Sequence, residues 1–260
     1  MSDWRSYDEV ATTYERVHAP RFIEPARDLV ALAEIEPDER VLDVGTGTGA
    51  CARAAREVGA AVVGVDPSVA MLRQADGAGP VVAAQAIDLP FRDGAFDAIT
   101  GNFVLAHFAR VETALFDMVR VVRPGGRLAF STWADGADAF QSAWHELIES
   151  VVPKELLEPS IEKVIPNHDR FTEREALESA LHRAKLKQVR SEPRTYSWTY
   201  ARDDYLDGVQ VFALGRFARG MLGEAGWNAF MDRARAEFAD RFPDPLVDHR
   251  DVLLAVGTKE

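Results

Sequence analysis

The pattern of apolar and polar positions changes character halfway along the chain. Its first half alternates short, β-branched apolar runs with stretches whose apolar residues recur every three or four positions. Residues 20–34 carry Phe22, Ala26, Leu29 and Ala33 at helical spacing. Residues 40–44, Arg-Val-Leu-Asp-Val, predict a buried strand that runs into glycines, with a helix over 50–57 behind them. Further strands are predicted at 61–66, 81–85 and 96–103, and helices at 68–74 and 111–122. After the turn Pro124-Gly125-Gly126, a fifth strand is predicted at 127–133. Strands alternating with helices imply βαβ units, a parallel sheet, right-handed connections and helices on both faces.

The second half reads differently. Residues 135–185 are mostly helical in pattern, with proline breaks at Pro153, Pro159 and Pro166. Strands are predicted at 187–198 and 251–258. Between them lie two helical stripes, Leu206, Val209, Ala213, Phe217 and Met221, then Trp227, Phe230, Met231, Ala234 and Phe238. An insertion at that point is a candidate cap; the plainer alternative is a helical pair packed on one sheet edge. Residues 196–242 also hold Tyr196, Trp198, Tyr200, Tyr205, Phe212, Phe217, Trp227, Phe230, Phe238 and Phe242. This surplus of aromatics suggests an apolar pocket and a flat or greasy ligand.

Composition narrows the class. A chain of 260 residues suits one large domain, or one domain with an inserted cap. With 47% hydrophobic and 28% charged residues it is no disordered chain. The formal charge of −12 argues against a broad nucleic-acid surface. A single cysteine, Cys51, excludes an internal disulfide framework and a cysteine-built metal site. The six histidines lack metal-ligand spacing, so no metal is expected. The first ten residues hold acids and no apolar run, and no stretch approaches eighteen uncharged apolar residues. The expectation is a cytoplasmic protein with no membrane partner.

The strongest signal is the run from Val41 to Ala50, a strand entering Gly45-Thr46-Gly47-Thr48-Gly49 and then a helix. Glycines allow a sharp turn and close approach of a ligand, and the helix start offers unpaired N–H groups. The run also satisfies the dinucleotide fingerprint, so a nicotinamide cofactor stays open on the glycines alone. Asp66, ending the second strand, is the expected ribose-binding acid in either case. Asp43 discriminates, because a carboxylate inside the first strand suits an ammonium or sulfonium better than a pyrophosphate. Asp88 follows the third strand where an adenine amine could donate to it, and Arg123 to Leu128 turns a helix into the fifth strand.

Taken in this order, these residues resemble the class I S-adenosylmethionine-dependent methyltransferases, and most nearly the small-molecule enzymes of ubiquinone and menaquinone biosynthesis. The resemblance covers residues 5–133. It implies an α/β, Rossmann-like seven-stranded sheet of order 3-2-1-4-5-7-6 with the seventh strand antiparallel, helices on both faces and a helical cap. It implies one domain over 1–260: N-terminal helices over the cofactor (1–35), a cofactor core (36–133), a helical insertion (135–185) and the cap (199–245). It implies S-adenosyl-L-methionine as cofactor, with Asp43, Gly45, Thr46 and Gly47 at its methionine moiety and Asp66 at its ribose. Pro67, Met71, Ile87 and Asp88 would flank the adenine, Asn102 and Phe103 would line the inner wall, and Tyr7 and Tyr14 would belong to an opening helix over the cofactor. Tyr7, Val10, Ala11, Tyr14 and Val17 equally make a plain helical core stripe.

The expected activity is methyl transfer to a small apolar or aromatic metabolite by in-line displacement. A non-catalytic S-adenosylmethionine-binding protein and a nicotinamide-dependent oxidoreductase are the alternatives; the latter lacks a Tyr-x-x-x-Lys pair and leaves Asp43 unexplained. The partner is a small-molecule acceptor rather than nucleic acid, with room for a homodimer. His107, just past the fourth strand, is the candidate base, or else a histidine packed at a strand end. Asp97 has no chemical role and His145 with Glu146 and Glu149 reads as a surface cluster. Asp117, Arg120 and Arg123 read as a solvated helix face, and Arg202, Arg216, Arg219, Arg233 and Arg235 as surface charge.

Overall fold

A computed structural model describes residues 7–8 and 10–260. Seven strands form one sheet: β1 (Arg40–Val44), β2 (Ala61–Asp66), β3 (Val81–Ala83), β4 (Phe96–Asn102), β5 (Val122–Trp133), β6 (Lys187–Tyr200) and β7 (Leu246–Thr258). Their order is β3-β2-β1-β4-β5-β7-β6. The first five pair in parallel, and β7 runs antiparallel to both β5 and β6. Order and reversed strand are those expected. The helices are α1 (Ala11–Thr13), α2 (Ile23–Leu32), α3 (Ala50–Glu57), α4 (Val69–Leu72), α5 (Val111–Val121), α6 (Ala139–Glu149), α7 (Lys154–Val164), α8 (Arg174–Arg183), α9 (Arg202–Val209) and α10 (Ala213–Arg241). A π-turn (Tyr14–His18) and a 3-10 turn (Ala19–Phe22) join α1 to α2, and another 3-10 turn (Leu105–His107) follows β4.

The strands alternate their side chains between two cores, as a sheet covered on both faces must. Leu42, Ile99, Leu128 and Phe130 face Leu115 and Met118 of α5 and Leu177 and Leu181 of α8. Val41, Ala98 and Ala129 face Ala26 and Leu29 of α2 and Ala52 and Ala55 of α3. A third core lies outside the sheet and joins Phe140, Trp144 and Leu147 of α6 to Leu206 of α9 and Trp227, Phe230 and Phe238 of α10. Within 135–185, therefore, α8 packs on the sheet while α6 and α7 pack with the helices between β6 and β7. In the N-terminal segment α2 likewise belongs to the sheet's core.

Four expectations are corrected. β5 begins at Val122, because Pro124-Gly125-Gly126 is an irregularity within the strand: Gly125 N donates to Lys259 O (2.7 Å) and Lys259 N to Gly126 O (2.9 Å). β7 begins at Leu246 and pairs with β6 out to Tyr200, extending the ribbon that carries the cap. Pro159 lies inside α7 rather than breaking it. The stripe ending at Met221 fails, since Met221 is 55% exposed and Gly223 (φ 68°) breaks α10 into two helical stretches.

Candidate active site

The glycine loop builds a crevice at the carboxyl ends of β1, β2 and β4. Gly45 N and Thr46 N both donate to Val65 O (2.8 and 3.0 Å), which pins the loop to β2. Gly45 (φ +68°) and Gly47 (φ +55°) both lie in the left-handed region, but for different ends. A Cβ on Gly45 would stand 2.2 Å from Val104 Cγ2, so packing demands glycine there. A Cβ on Gly47 would meet nothing within 4 Å, so the backbone lies bare to the crevice. The crevice so formed encloses about 330 Å³ of empty space, part of it open to solvent. Tyr14, Asp43, Gly45, Thr46, Gly47 and Asn102 line it together, and so do Phe22, Thr48, Ala50 and Cys51, which sequence reasoning did not single out. Among these residues Asp43 carries the only full charge.

Asp43 is buried and its carboxylate is engaged on both oxygens. Thr46 Oγ1 (2.7 Å) and Ala52 N (3.0 Å) donate to Oδ2, and Thr100 Oγ1 (2.9 Å) donates to Oδ1. One side chain thus ties the glycine loop, the start of α3 and β4 together. Burial outweighs these bonds and pushes its pKa up to about 6. Asp66 accepts from Gly47 N (2.9 Å) and Ser68 N (2.8 Å). Burial raises it also to about 6. Asp66 abuts the cavity through Gly47 rather than lining it.

The inner wall is locked by Ser131. Its hydroxyl donates to Asn102 Oδ1 (2.6 Å) and accepts from Phe103 N (2.9 Å). Asn102 Nδ2 in turn reaches Phe22 O (3.3 Å). Phe103 holds φ +56°, an uncommon state for a bulky residue and one that cross-strand bonds must maintain. Its ring packs on Trp133 (4.3 Å) and Phe22 (5.1 Å), forming an aromatic wall beside the cavity.

Pro67, Met71, Ile87, Asp88 and Phe103 lie outside the cavity lining. Met71 is the buried residue of α4, whose start is capped by Ser68. Asp88 is exposed at φ +66°, and Ile87 packs on the first core. Asp117 and Arg120 are not a solvated face. Leu89 N donates to the Asp117 carboxylate, while Arg120 reaches Leu89 O (2.9 Å), Phe91 O (2.7 Å) and Asp117 Oδ1 (2.6 Å). The pair clamps the loop that carries Asp88. Arg123 instead bonds Asp97 (2.6 Å).

The N-terminal segment lies over the crevice. Asp8 Oδ1 accepts from Ser68 Oγ (2.7 Å) and Ala70 N (3.3 Å). Tyr14 packs edge-on to Tyr7 (6.3 Å) and stacks on Phe22 (5.9 Å). Burial raises both phenols well above their usual range, so they are neutral hydroxyls. Tyr7 Oη stands 3.5 Å from His107 Nδ1. Burial lowers the His107 pKa to about 4, too low for the strong neutral-pH base that an ordinary imidazole would be. The aromatics of the cap are largely its own core: Tyr205, Trp227, Phe230 and Phe238 are buried against α6. Trp198 and Tyr200 turn the other way, where the Arg21 guanidinium sits on them (5.2 and 5.6 Å) and on Trp133 (5.3 Å). Of the cap arginines, Arg219 pairs with Glu224 (2.7 Å) and Arg235 with Asp207 (3.4 Å).

The "Methyltransferase domain" family model matches residues 42–130, which hold all of the crevice lining but Tyr14 and Phe22. Over that stretch the chain matches a methyltransferase domain. The demethylmenaquinone methyltransferase of Mycobacterium tuberculosis is 40% identical over 124 residues, 46% of this chain and 52% of the relative. That of Thermus thermophilus is 40% identical over 137 residues, 47% of this chain and 61% of the relative. The chain thus spans about half the length of the curated relatives it matches. Haemonchus contortus phosphoethanolamine N-methyltransferase 2, solved with S-adenosyl-L-methionine, superposes with a TM-score of 0.60 at 16% identity, over 100% of this chain and 61% of that one. At such identity the likeness concerns the fold alone. The match ends at residue 130, within β5, so α6 to α10 and strands β6 and β7 lie beyond it.

Proposed function

We propose that the chain transfers a methyl group from S-adenosyl-L-methionine to a small aromatic or otherwise apolar metabolite. One observation carries the reading: the crevice joins a bare backbone at Gly47 to a lining whose only full charge is the Asp43 carboxylate. Such a site suits a cationic amino-acid ligand and repels a pyrophosphate. The relatives' names and the bound cofactor of the worm enzyme support the same choice. Asp43, Gly45, Thr46 and Gly47 would hold the methionine moiety, Asp66 the ribose, and Pro67, Met71, Ile87 and Asp88 the adenine side. Tyr14, Asn102 and Phe103 would close the inner wall. The bound cofactor supplies a methyl already attached to a good leaving group. The chain's part is to align the acceptor and exclude water, through the N-terminal segment and the Phe22–Phe103–Trp133 wall. No helix among the described residues is long and apolar enough to cross a membrane. We infer a cytoplasmic enzyme acting on a free small molecule rather than on nucleic acid.

Calorimetry tests the cofactor: S-adenosylhomocysteine binds and NAD gives no heat, and the reverse result refutes the reading. Asp66→Ala weakens S-adenosylhomocysteine at least about tenfold, because charge-assisted bonds to two ribose hydroxyls are lost. Turnover of S-adenosyl-L-methionine with a short-chain demethylmenaquinol separates an enzyme from a non-catalytic binder.

The two raised carboxyls give a pH signature. In the free protein Asp43 and Asp66 protonate near pH 6, whereas a cationic ligand and two ribose donors favour the ionised forms. Affinity for S-adenosyl-L-methionine therefore falls as pH drops through 6, by about tenfold per group between pH 7.5 and 5. Their effect on folding has the opposite sign. An acid whose pKa rises on folding adds stability as pH falls from above 6 toward the unfolded value near 4. A flat affinity across that window contradicts the placement of both acids beside the ligand.

A further inference from the structure

Past the inner wall, the aromatic strip runs on into a buried polar cluster. Trp133, which packs on Phe103, also meets Trp198 (5.9 Å), and Arg21 stands next in sequence to Phe22 of the crevice lining. Trp198 of β6 and Val252 of β7 face the α2 side of the sheet. By alternation Tyr200 and Asp248 share that face, where the β6–β7 ribbon runs past the end of β5. The Arg21 guanidinium lies against Trp133, Trp198 and Tyr200 at once, and its Nη2 donates to Asp248 Oδ2 (3.0 Å). The Asp248 side chain is only 2% exposed and that of Arg21 15%. Among the described residues, three polar atoms of this cluster are buried with no hydrogen-bond partner: Arg21 Nε, Tyr200 Oη and Asp248 Oδ1. Buried polar atoms need partners, and these set the terms for one. Arg21 Nε can only donate. Burial and the Asp138 carboxyl beside it raise the Asp248 pKa to about 6, which leaves Oδ1 an acceptor at neutral pH. Asp138 supplies no donor, being itself the acceptor that caps α6 at Gln141 N (2.6 Å). A hydroxyl meets both demands, since it donates and accepts. An ion does not: Arg21 and Asp248 cancel in charge, and Asp138 offsets Arg250, whose guanidinium bonds Gln141 Oε1 (2.5 Å).

We propose that Arg21, Tyr200 and Asp248 form the far end of the acceptor site and select a ring that carries a neutral hydroxyl away from the atom to be methylated. The proposal rests on the methyl-transfer reading of the adjoining crevice and adds the substituent by which the acceptor is recognised. The ring lies along Phe22, Phe103 and Trp133, with one end at the crevice. At its other end Arg21 Nε donates to the hydroxyl oxygen, the hydroxyl donates to Asp248 Oδ1, and Tyr200 Oη completes the set. Each unpartnered atom then has a partner, and the charge balance of the cluster is kept. A bare ring leaves all three atoms unpaired in a closed site. A carboxylate is turned against Asp248, and an ammonium against Arg21. A site built to hydrogen-bond a hydroxyl rejects the analogue that lacks it far more sharply than an apolar pocket rejects one methylene more or less. All three residues lie outside the matched stretch 42–130, so acceptor preference can change here while the glycine loop stays as it is.

The test uses the full chain saturated with S-adenosylhomocysteine and four probes of similar size: benzyl alcohol, toluene, benzoate and benzylamine. Benzyl alcohol is expected to bind at least about fivefold more tightly than each of the others. Nitrogen-15 NMR reads the contact directly. The Arg21 Nε–H resonance, assigned by its loss in Arg21→Lys, shifts with benzyl alcohol and not with toluene. Tyr200→Phe deletes only a hydroxyl that has no partner, so it melts like the native protein, yet its preference for benzyl alcohol over toluene falls about threefold or more. Arg21→Lys keeps a cation for Asp248 but removes Nε, and the preference falls by at least as much. Toluene affinity stays within about twofold in both variants, whereas damaged packing would weaken both probes alike. An Nε–H resonance that benzyl alcohol leaves unmoved, an unchanged preference in Tyr200→Phe, or another probe binding as tightly as benzyl alcohol overturns the proposal. Water then fills the cluster, and the methyl-transfer reading stands. Failure of the native protein to bind S-adenosylhomocysteine refutes that reading itself, and this proposal with it.

Discussion

Gly45→Ala is expected to cost about 2–5 kcal/mol of folding stability, lowering Tm by roughly 5–15 °C. Two effects add. An alanine at φ +68° occupies the left-handed region, and its methyl would stand 2.2 Å from Val104 Cγ2 and 3.0 Å from Val104 Cβ. Val104 is buried, so its side chain has nowhere to yield, and the loop must lift off β2 at the Gly45 N to Val65 O bond. Gly47→Ala is the control. It carries the same kind of backbone strain, about 1–2 kcal/mol, but its methyl enters open space. Its main effect falls on binding, since the methyl would occupy the cradle where the ligand backbone approaches. Thermal melts with and without S-adenosylhomocysteine separate the two. Gly45→Ala melts early and gains from ligand in proportion to what still folds; Gly47→Ala melts only about 3–6 °C below the native protein and gains little from ligand. A native melting curve for Gly45→Ala would mean that Val104 does not wall the loop.

What was legible in the sequence follows the range of the interactions involved. β1, α3 and β2 fall at their expected boundaries, because an apolar strand, a glycine turn and an Ala-rich helix are each encoded within ten residues. The sheet order came from resemblance; periodicity says only that strands and helices alternate. The cap's second stripe was readable as a buried face, yet not what it faces: Trp227 and Phe230 meet Trp144 of α6, more than eighty residues away. The aromatic surplus therefore looked like a ligand pocket when much of it is helix–helix core. Charged residues were the least legible. Asp117 and Arg120 have helix-surface spacing, and only the fold shows that the chain from Leu89 to Phe91 lies across them. Asp43 was singled out rightly as a costly buried acid, but its bonds to Ala52 and Thr100 cross nine and 57 positions. The Tyr7–His107 contact spans 100 residues, and neither residue's neighbours in sequence announce it.

Asp43 separates scaffold from electrostatics, because its two truncations should fail differently. Asp43→Ala removes the common partner of three buried donors, the hydroxyls of Thr46 and Thr100 and the N–H of Ala52. Leaving them unpaired costs about 2–4 kcal/mol, part of it offset by the relieved burial of a charge. The loop, α3 and β4 lose their shared anchor, so folding and binding fall together. Asp43→Asn keeps the shape. Its amide oxygen can take the Oδ2 place and accept from Thr46 and Ala52, whose N–H direction is fixed. Its NH2 then faces Thr100, whose hydroxyl can rotate to accept. Stability should stay within about 1 kcal/mol of native, since a desolvated carboxylate has been replaced by a neutral isostere. The ligand loses its buried counter-charge all the same, and S-adenosylhomocysteine affinity should fall at least about tenfold. With the charge gone, that part of the decline in affinity below pH 6 which belongs to Asp43 should vanish too, leaving the part that belongs to Asp66. An asparagine variant that binds like native, with an unchanged pH profile, would make Asp43 a brace for the glycine loop and nothing more.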